Sequence, residues 1–126
     1  MINELAKQIH KNAIDKGFFE KEKNIGEMLC LIHSEVSEAL EADRNDMYMH
    51  KRMESSPIGA VNGWVSDEDF WKSFRQNVKG TFEEELADIM IRVMDLAAYK
   101  NIDLEAHIKA KMRYNSLREK YHGKKY

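Results

Sequence analysis

Four pairs of carboxylates in this 126-residue chain stand three residues apart: Glu35–Glu38, Glu38–Glu41, Asp43–Asp46 and Glu85–Asp88. On a helix such a spacing puts both side chains on one face, one turn apart. Two such pairs brought together form an all-oxygen ligand set, the kind that holds a hard divalent cation such as magnesium. With 22 acidic residues in the chain, spacing alone selects no pair. Position relative to the apolar pattern does. Ile25, Met28, Leu29, Ile32, Val36, Ala39 and Leu40 mark one face of a helix, centred near Ile25 and Val36. At about 100° per residue, Glu35 lies roughly 80° and Glu38 roughly 140° to one side of that centre. On a second helix, marked by Phe82, Leu86, Ile89, Val93, Leu96 and Ala97 and centred near Val93, Glu85 and Asp88 take the same two angles in the same sense. Antiparallel packing of the two helices would let four carboxylates converge at the edge of the core, with Glu35 and Glu85 half buried. Without a cation or a proton such a cluster repels itself. Geometry alone leaves a second reading open, four carboxylates on solvated helix flanks.

The elements needed to position these pairs are legible as helices. The chain has one proline and six glycines, and no segment alternates convincingly as a strand. Ile2, Leu5, Ile9 and Ala13 predict a first helix ending near Gly17. Asn24 with Glu27, and Thr81 with Glu84, read as capping boxes for the two acidic helices, which should run to about Arg44 and Tyr99. Turn residues between about Ser55 and Ser66 predict a loop. A short helix with Phe70, Trp71 and Phe74 on one side should follow and pack through them. Asp103 can cap a last helix reaching about Tyr121, and residues 122–126 should fray. Met28, Met90 and Met94 are read as core, and His10 and His33 as polar-edge residues. The expected fold class is an all-α, four- to five-helix bundle forming one domain, residues 1–126.

Charge is uneven. The net charge is −2, yet residues 107–126 hold seven lysines and arginines against Glu119 alone. A basic end on an acidic body can steer a phosphate-bearing ligand, or be a solvated helix end. The single cysteine, Cys30, cannot form an intrachain disulfide, and no Cys-x-x-Cys zinc pattern occurs. No apolar run approaches the roughly 20 residues that span a bilayer, and no secretory signal layout stands at the start. A reducing, cytoplasmic setting is expected, without a membrane partner.

Glu35-Val-Ser-Glu38 and Glu85-Leu-Ala-Asp88 together resemble the Glu-x-x-Glu … Glu-x-x-Asp signature of MazG-like nucleotide pyrophosphohydrolases, of the all-α NTP pyrophosphatase superfamily. The resemblance extends to Lys16-Gly-Phe-Phe19, to Asn101-Ile-Asp-Leu-Glu105 and to Lys111-Met-Arg-Tyr-Asn115-Ser-Leu-Arg118. It implies a nucleoside triphosphate pyrophosphatase, releasing monophosphate and pyrophosphate. The site would hold two or three Mg²⁺, with Mn²⁺ able to substitute, on Glu35, Glu38, Glu85 and Asp88. One of Glu35 or Glu38 would also activate water. Lys111, Asn115 and Arg118, at i, i+4 and i+7 and so on one helical face, would bind the triphosphate. A homodimer or homotetramer is implied. Phe18, Phe19 and Trp64 are candidates for a base pocket, Trp64 as part of a lid. Arg92, one turn beyond Asp88, is open between a phosphate role and a structural partnership with that carboxylate.

The chain departs from the family pattern twice. Ser34 stands where many members have a further Glu, and the stretch between Glu38 and Glu85 is longer than the usual short spacer, so residues 47–80 read as an insertion. Two other classes are weighed. A di-iron bundle needs Glu-x-x-His on two helices, and only Glu119-x-x-His122 fits. A non-catalytic helical module could bind nucleic acid or a protein through the basic end, but no recognisable nucleic-acid motif is present, and none as a partner is expected.

Overall fold

The computed structural model describes residues 1–49 and 65–126. Its regular structure is helical, with no strand among the described residues, as the all-α expectation requires. Helix α1 spans Ile2–Asp15, α2 Ile25–Arg44, α3 Asp67–Asn77, α4 Phe82–Tyr99 and α5 Leu104–Ser116, and a 3-10 turn covers Lys120–Gly123. None of the described helices is long and apolar enough to cross a membrane. Most of the loop expected between Ser55 and Ser66 lies outside the described residues, Trp64 included.

The helix ends follow from side chains that satisfy orphan backbone groups. Asn24 Oδ1 accepts from the Glu27 N–H (3.1 Å), Ser66 Oγ from the Asp69 N–H (3.1 Å) and Asp103 Oδ1 from the Ala106 N–H (3.0 Å). Three C-termini close in the same way. At α1, Gly17 enters the left-handed region (φ 85°), its N–H donates to Ile14, and the Phe18 N–H donates to Ala13. Asp46 (φ 58°) ends α2 and Asn101 (φ 54°) ends α4 with the same pair of bonds. This is the Schellman arrangement, which suits Gly best and Asn or Asp next.

The chain divides into two compact units, Lys23–Arg92 and Met1–Glu22 with Val93–Tyr126. The first, here the acidic unit, contains α2, α3 and the first half of α4. The end of α2 is stitched to the start of α4. Phe82 N–H donates to the Met47 carbonyl (2.8 Å), Met49 N–H to Glu83 Oε2 (3.0 Å), and the Tyr48 and Phe82 rings stack at 5.2 Å. These contacts register the two acidic helices against each other. The interior of this unit is mixed: Met28, Ala39, Ala42 and Val78 are buried, but so are Glu35, Thr81, Glu84 and Glu85.

In the second unit, α1 packs on α5. Asn3 Nδ2 donates to Asp103 Oδ1 (2.7 Å) and the Glu105 N–H donates to Asn3 Oδ1 (3.2 Å). His10 Nδ1 meets Asp95 Oδ1 at 2.8 Å, and its ring packs edge-on to Phe19 (4.6 Å), which also faces Tyr99 (5.1 Å).

Several expectations are corrected. Helix α5 stops at Ser116 rather than near Tyr121. Leu117 and Arg118 already make i→i−3 bonds, and the Ser116 hydroxyl donates to the Arg113 carbonyl, so the last turn tightens and closes. The buried face of α2 is also rotated from the sequence pattern. Met28, Glu35, Ala39 and Ala42 face inward, while Leu29, Val36 and Leu40 remain close to half exposed. Helix α4 behaves alike: Met94 is buried as expected, but Met90 is exposed together with Leu86. Each helix therefore carries more apolar circumference than the described residues cover.

Candidate metal centre

Because the inward face of α2 centres on Glu35, its carboxylate enters the interior of the acidic unit beside the first turns of α4. Ligand-capable oxygens of Glu35, Glu85 and Asp88 all lie within 4.8 Å of one another. Glu35 and Glu85 are buried and Asp88 is half buried. Glu38, one turn along α2 and exposed, interacts with both Glu35 and Glu85 through its side chain. The equivalent angular positions read from sequence thus correspond to one cluster in space.

Electrostatics mark the cluster as unfinished. Glu85 is pushed up to about 7, first by burial and then by the charges of Glu38, Glu84, Asp88 and Glu35. Asp88 is raised by burial and by Glu84 and Glu35, against opposition from Lys79 and Arg92. Glu38 is raised chiefly by its hydrogen bond and charge contact with Glu35. Oε2 of Glu85 is buried with no hydrogen-bond partner among the described residues. A buried, unpartnered carboxylate oxygen costs free energy that a bound cation would recover. Orphaned oxygen, oxygen-only donors and mutual repulsion all fit a hard divalent ion.

Arg92 and Glu84 complete the surroundings. Arg92 Nε donates to Glu35 Oε1 across the two helices, so its structural partner is Glu35 rather than Asp88. Glu84, read from sequence only as half of a capping box, is buried beside the cluster. Thr81 Oγ1 accepts from the Glu84 N–H (3.3 Å), as that box predicts. The Glu84 carboxylate turns back to the Gly80 N–H and to Lys79 Nζ (3.0 Å). Lys79 is raised by that contact. The capping box was the visible signal for Glu84, but nothing in its spacing indicated burial next to Glu85.

The remaining predicted residues fall elsewhere. Lys111, Asn115 and Arg118 belong to the second unit. Lys111 is exposed, and Asn115 is half buried with Oδ1 lacking a hydrogen-bond partner among the described residues. Arg118 stands past the end of α5, where its guanidinium donates to the His122 carbonyl (3.0 Å), so the three do not share one helical face. Phe19 is engaged in the ring cluster with His10 and Tyr99, and Phe18 is exposed. Trp71, expected to pack α3, is 58% exposed, whereas Phe70 and Phe74 are half buried and pair at 5.9 Å. Compared with known proteins, the chain finds no counterpart that bears on these residues: no family model, curated protein or solved structure matches it.

Proposed function

We propose that the chain is a magnesium-dependent nucleoside triphosphate pyrophosphohydrolase, acting as a homo-oligomer on cytoplasmic nucleotide pools. The observation that carries the reading is the convergence of Glu35, Glu85 and Asp88 within 4.8 Å, with Glu38 alongside. They stand in the order Glu-x-x-Glu … Glu-x-x-Asp that resembles MazG-like enzymes.

Glu35, Glu85 and Asp88 would hold the metal, two or three ions with Glu38 included, and Mn²⁺ would substitute for Mg²⁺. Bound magnesium supplies charge neutralisation at the phosphate oxygens and an acidified water. In the reaction a water oxygen bonds to the α-phosphorus and the α–β anhydride bond breaks, pyrophosphate leaving with the electron pair. Glu38 is the better placed of the two motif glutamates to take the water's proton. It is exposed, and its carboxyl is raised above its ordinary value by Glu35, whereas Glu35 Oε1 is bound to Arg92. Arg92 fixes the Glu35 carboxylate, and Glu84 fixes the turn that delivers Glu85. Lys111, Asn115 and Arg118 are assigned to the triphosphate by resemblance, from the same chain or another copy. The exposed apolar residues Leu29, Val36 and Leu40 on α2, with Leu86 and Met90 on α4, support self-association.

The test is pyrophosphate and monophosphate release from a panel of ribo- and deoxyribonucleoside triphosphates with Mg²⁺. Glu38→Gln and Asp88→Asn should each lower turnover by about 100-fold or more, with far-UV circular dichroism unchanged. Full turnover in either variant rejects the site. Salt-sensitive nucleic-acid binding without turnover would support the binding-module alternative instead.

A further inference from the structure

A hollow of about 480 Å³ opens on the acidic unit, lined by Phe70, Trp71, Phe74, Arg75, Lys79 and Glu84. Its walls are three aromatic rings with a few polar groups, a make-up that ligand sites share. Helix α3 buries none of its residues fully, and its tryptophan is the most exposed of the three aromatics. Arg75 lies over the Trp71 ring, 4.7 Å from its centroid.

The hollow shares a wall with the carboxylate cluster. Lys79 and Glu84 face it, while their chain neighbours Gly80 and Glu85 line a second hollow of about 240 Å³ with Glu38 and Glu41. The wall between the two is the turn ahead of α4 and the first turn of α4 itself. Glu84 holds it in shape by gripping both the Gly80 N–H and Lys79 Nζ. The α3 hollow and the carboxylate hollow are thus lined by consecutive residues of one turn, Lys79–Gly80 and Glu84–Glu85.

We propose that the α3 hollow binds the base of the nucleotide, with Trp71 as stacking surface and Arg75 as hydrogen-bond donor to carbonyl or ring-nitrogen acceptors on the base edge. This inference rests on the pyrophosphohydrolase reading for the identity of the ligand. Every base has a π-face that stacks on an indole ring, and an arginine fork suits paired acceptors on a base edge. Phe70 and Phe74 supply the apolar floor. Because α3 lies within the inserted segment 47–80, base preference becomes a property of that insertion. Phe18 and Phe19 are then not needed for the base.

The chain has two tryptophans, Trp64 and Trp71, so Trp64→Phe leaves Trp71 as the sole indole reporter. In that chain, with Mg²⁺, AMP, GMP, CMP and UMP are titrated against ribose 5-phosphate, which has no base. At least one monophosphate should quench the emission at concentrations where ribose 5-phosphate does not. Calorimetry on otherwise native protein should show its Kd rising about 10-fold in Trp71→Ala and in Arg75→Ala. Trp71→Phe, which keeps a stacking ring, should stay within about 3-fold. Absence of quenching by all four monophosphates, or wild-type affinity in both alanine variants, overturns the inference. Triphosphate turnover measured on the same preparations separates the two ideas. Turnover with an unresponsive Trp71 sinks the base site and leaves the reaction standing. Base-dependent quenching in the Trp64→Phe chain, with a raised calorimetric Kd in the alanine variants but no turnover, keeps the base site and sinks the reaction.

Discussion

Glu85 ties protonation, metal and stability together. In the unfolded chain its carboxyl titrates in the ordinary range, near 4.3, and in the folded chain at about 7. Below the lower value both states hold the proton and the residue has no effect. As pH rises, the unfolded chain releases its proton while the fold retains it, so stability falls until pH passes the folded value. Glu38 and Asp88 are raised as well and act in the same direction. Metal-free protein should therefore melt at progressively lower temperature from pH 5 to pH 8 in EDTA. Millimolar Mg²⁺ should raise the Tm, and by more at pH 8 than at pH 5, because the ion binds the deprotonated set. Glu85→Gln should flatten the EDTA profile. A Tm that rises with pH in EDTA would contradict the picture. Arg92→Ala leaves Glu35 buried without its partner and should cost about 1–3 kcal/mol in urea unfolding, partly restored by Mg²⁺. At this scale the sequence placed Glu35, Glu85 and Asp88 beside the core, but it set Glu35 at the edge of the inward face of α2 rather than at its centre. It placed Arg92 beside Asp88 and Glu84 in a capping box but gave neither the Arg92–Glu35 pair, chosen by side-chain reach across helices, nor the burial of Glu84 beside Glu85.

Element boundaries obey local rules, which is why most of them were legible. Asn24, Thr81 and Asp103 cap as their types suggest, and Gly17 ends α1 because only a residue at ease with positive φ can. Thr81 is the strictest of these, with 0% exposure: its hydroxyl donates to the Val78 carbonyl (2.7 Å) and accepts from the Glu84 N–H. Thr81→Val keeps the shape and removes both bonds. It should lower stability by about 1–2 kcal/mol by chemical denaturation, and should weaken Mg²⁺ binding by loosening the start of α4. An unchanged midpoint would show that the cap is dispensable. The last helix, expected from its Asp103 cap to reach about Tyr121, ends at Ser116. Residue types near the end of α5 do not register the turn-tightening bonds at Leu117 and Arg118.

For the molecule as a whole, the apolar pattern of α2 and α4 is wider than the faces the chain buries. Sequence periodicity reports every apolar residue alike, whether its neighbour comes from the same chain or another, so the centre it predicted for α2 fell on Val36 rather than beside Glu35. Under the proposed reading the excess is an interface between copies. Sedimentation at micromolar concentration should give a dimer or larger species, and Val36→Glu with Leu40→Glu should shift it toward monomer without loss of helix. A wild-type monomer at that concentration would reject the homo-oligomer.

Cys30 is the sole thiol of the chain, exposed on α2 between Leu29 and Leu31. One nitroxide attached there labels each copy once, at the flank of the apolar stripe. Pulsed dipolar spectroscopy on such a sample would read the spacing between neighbouring α2 helices directly, without a second labelling site being engineered.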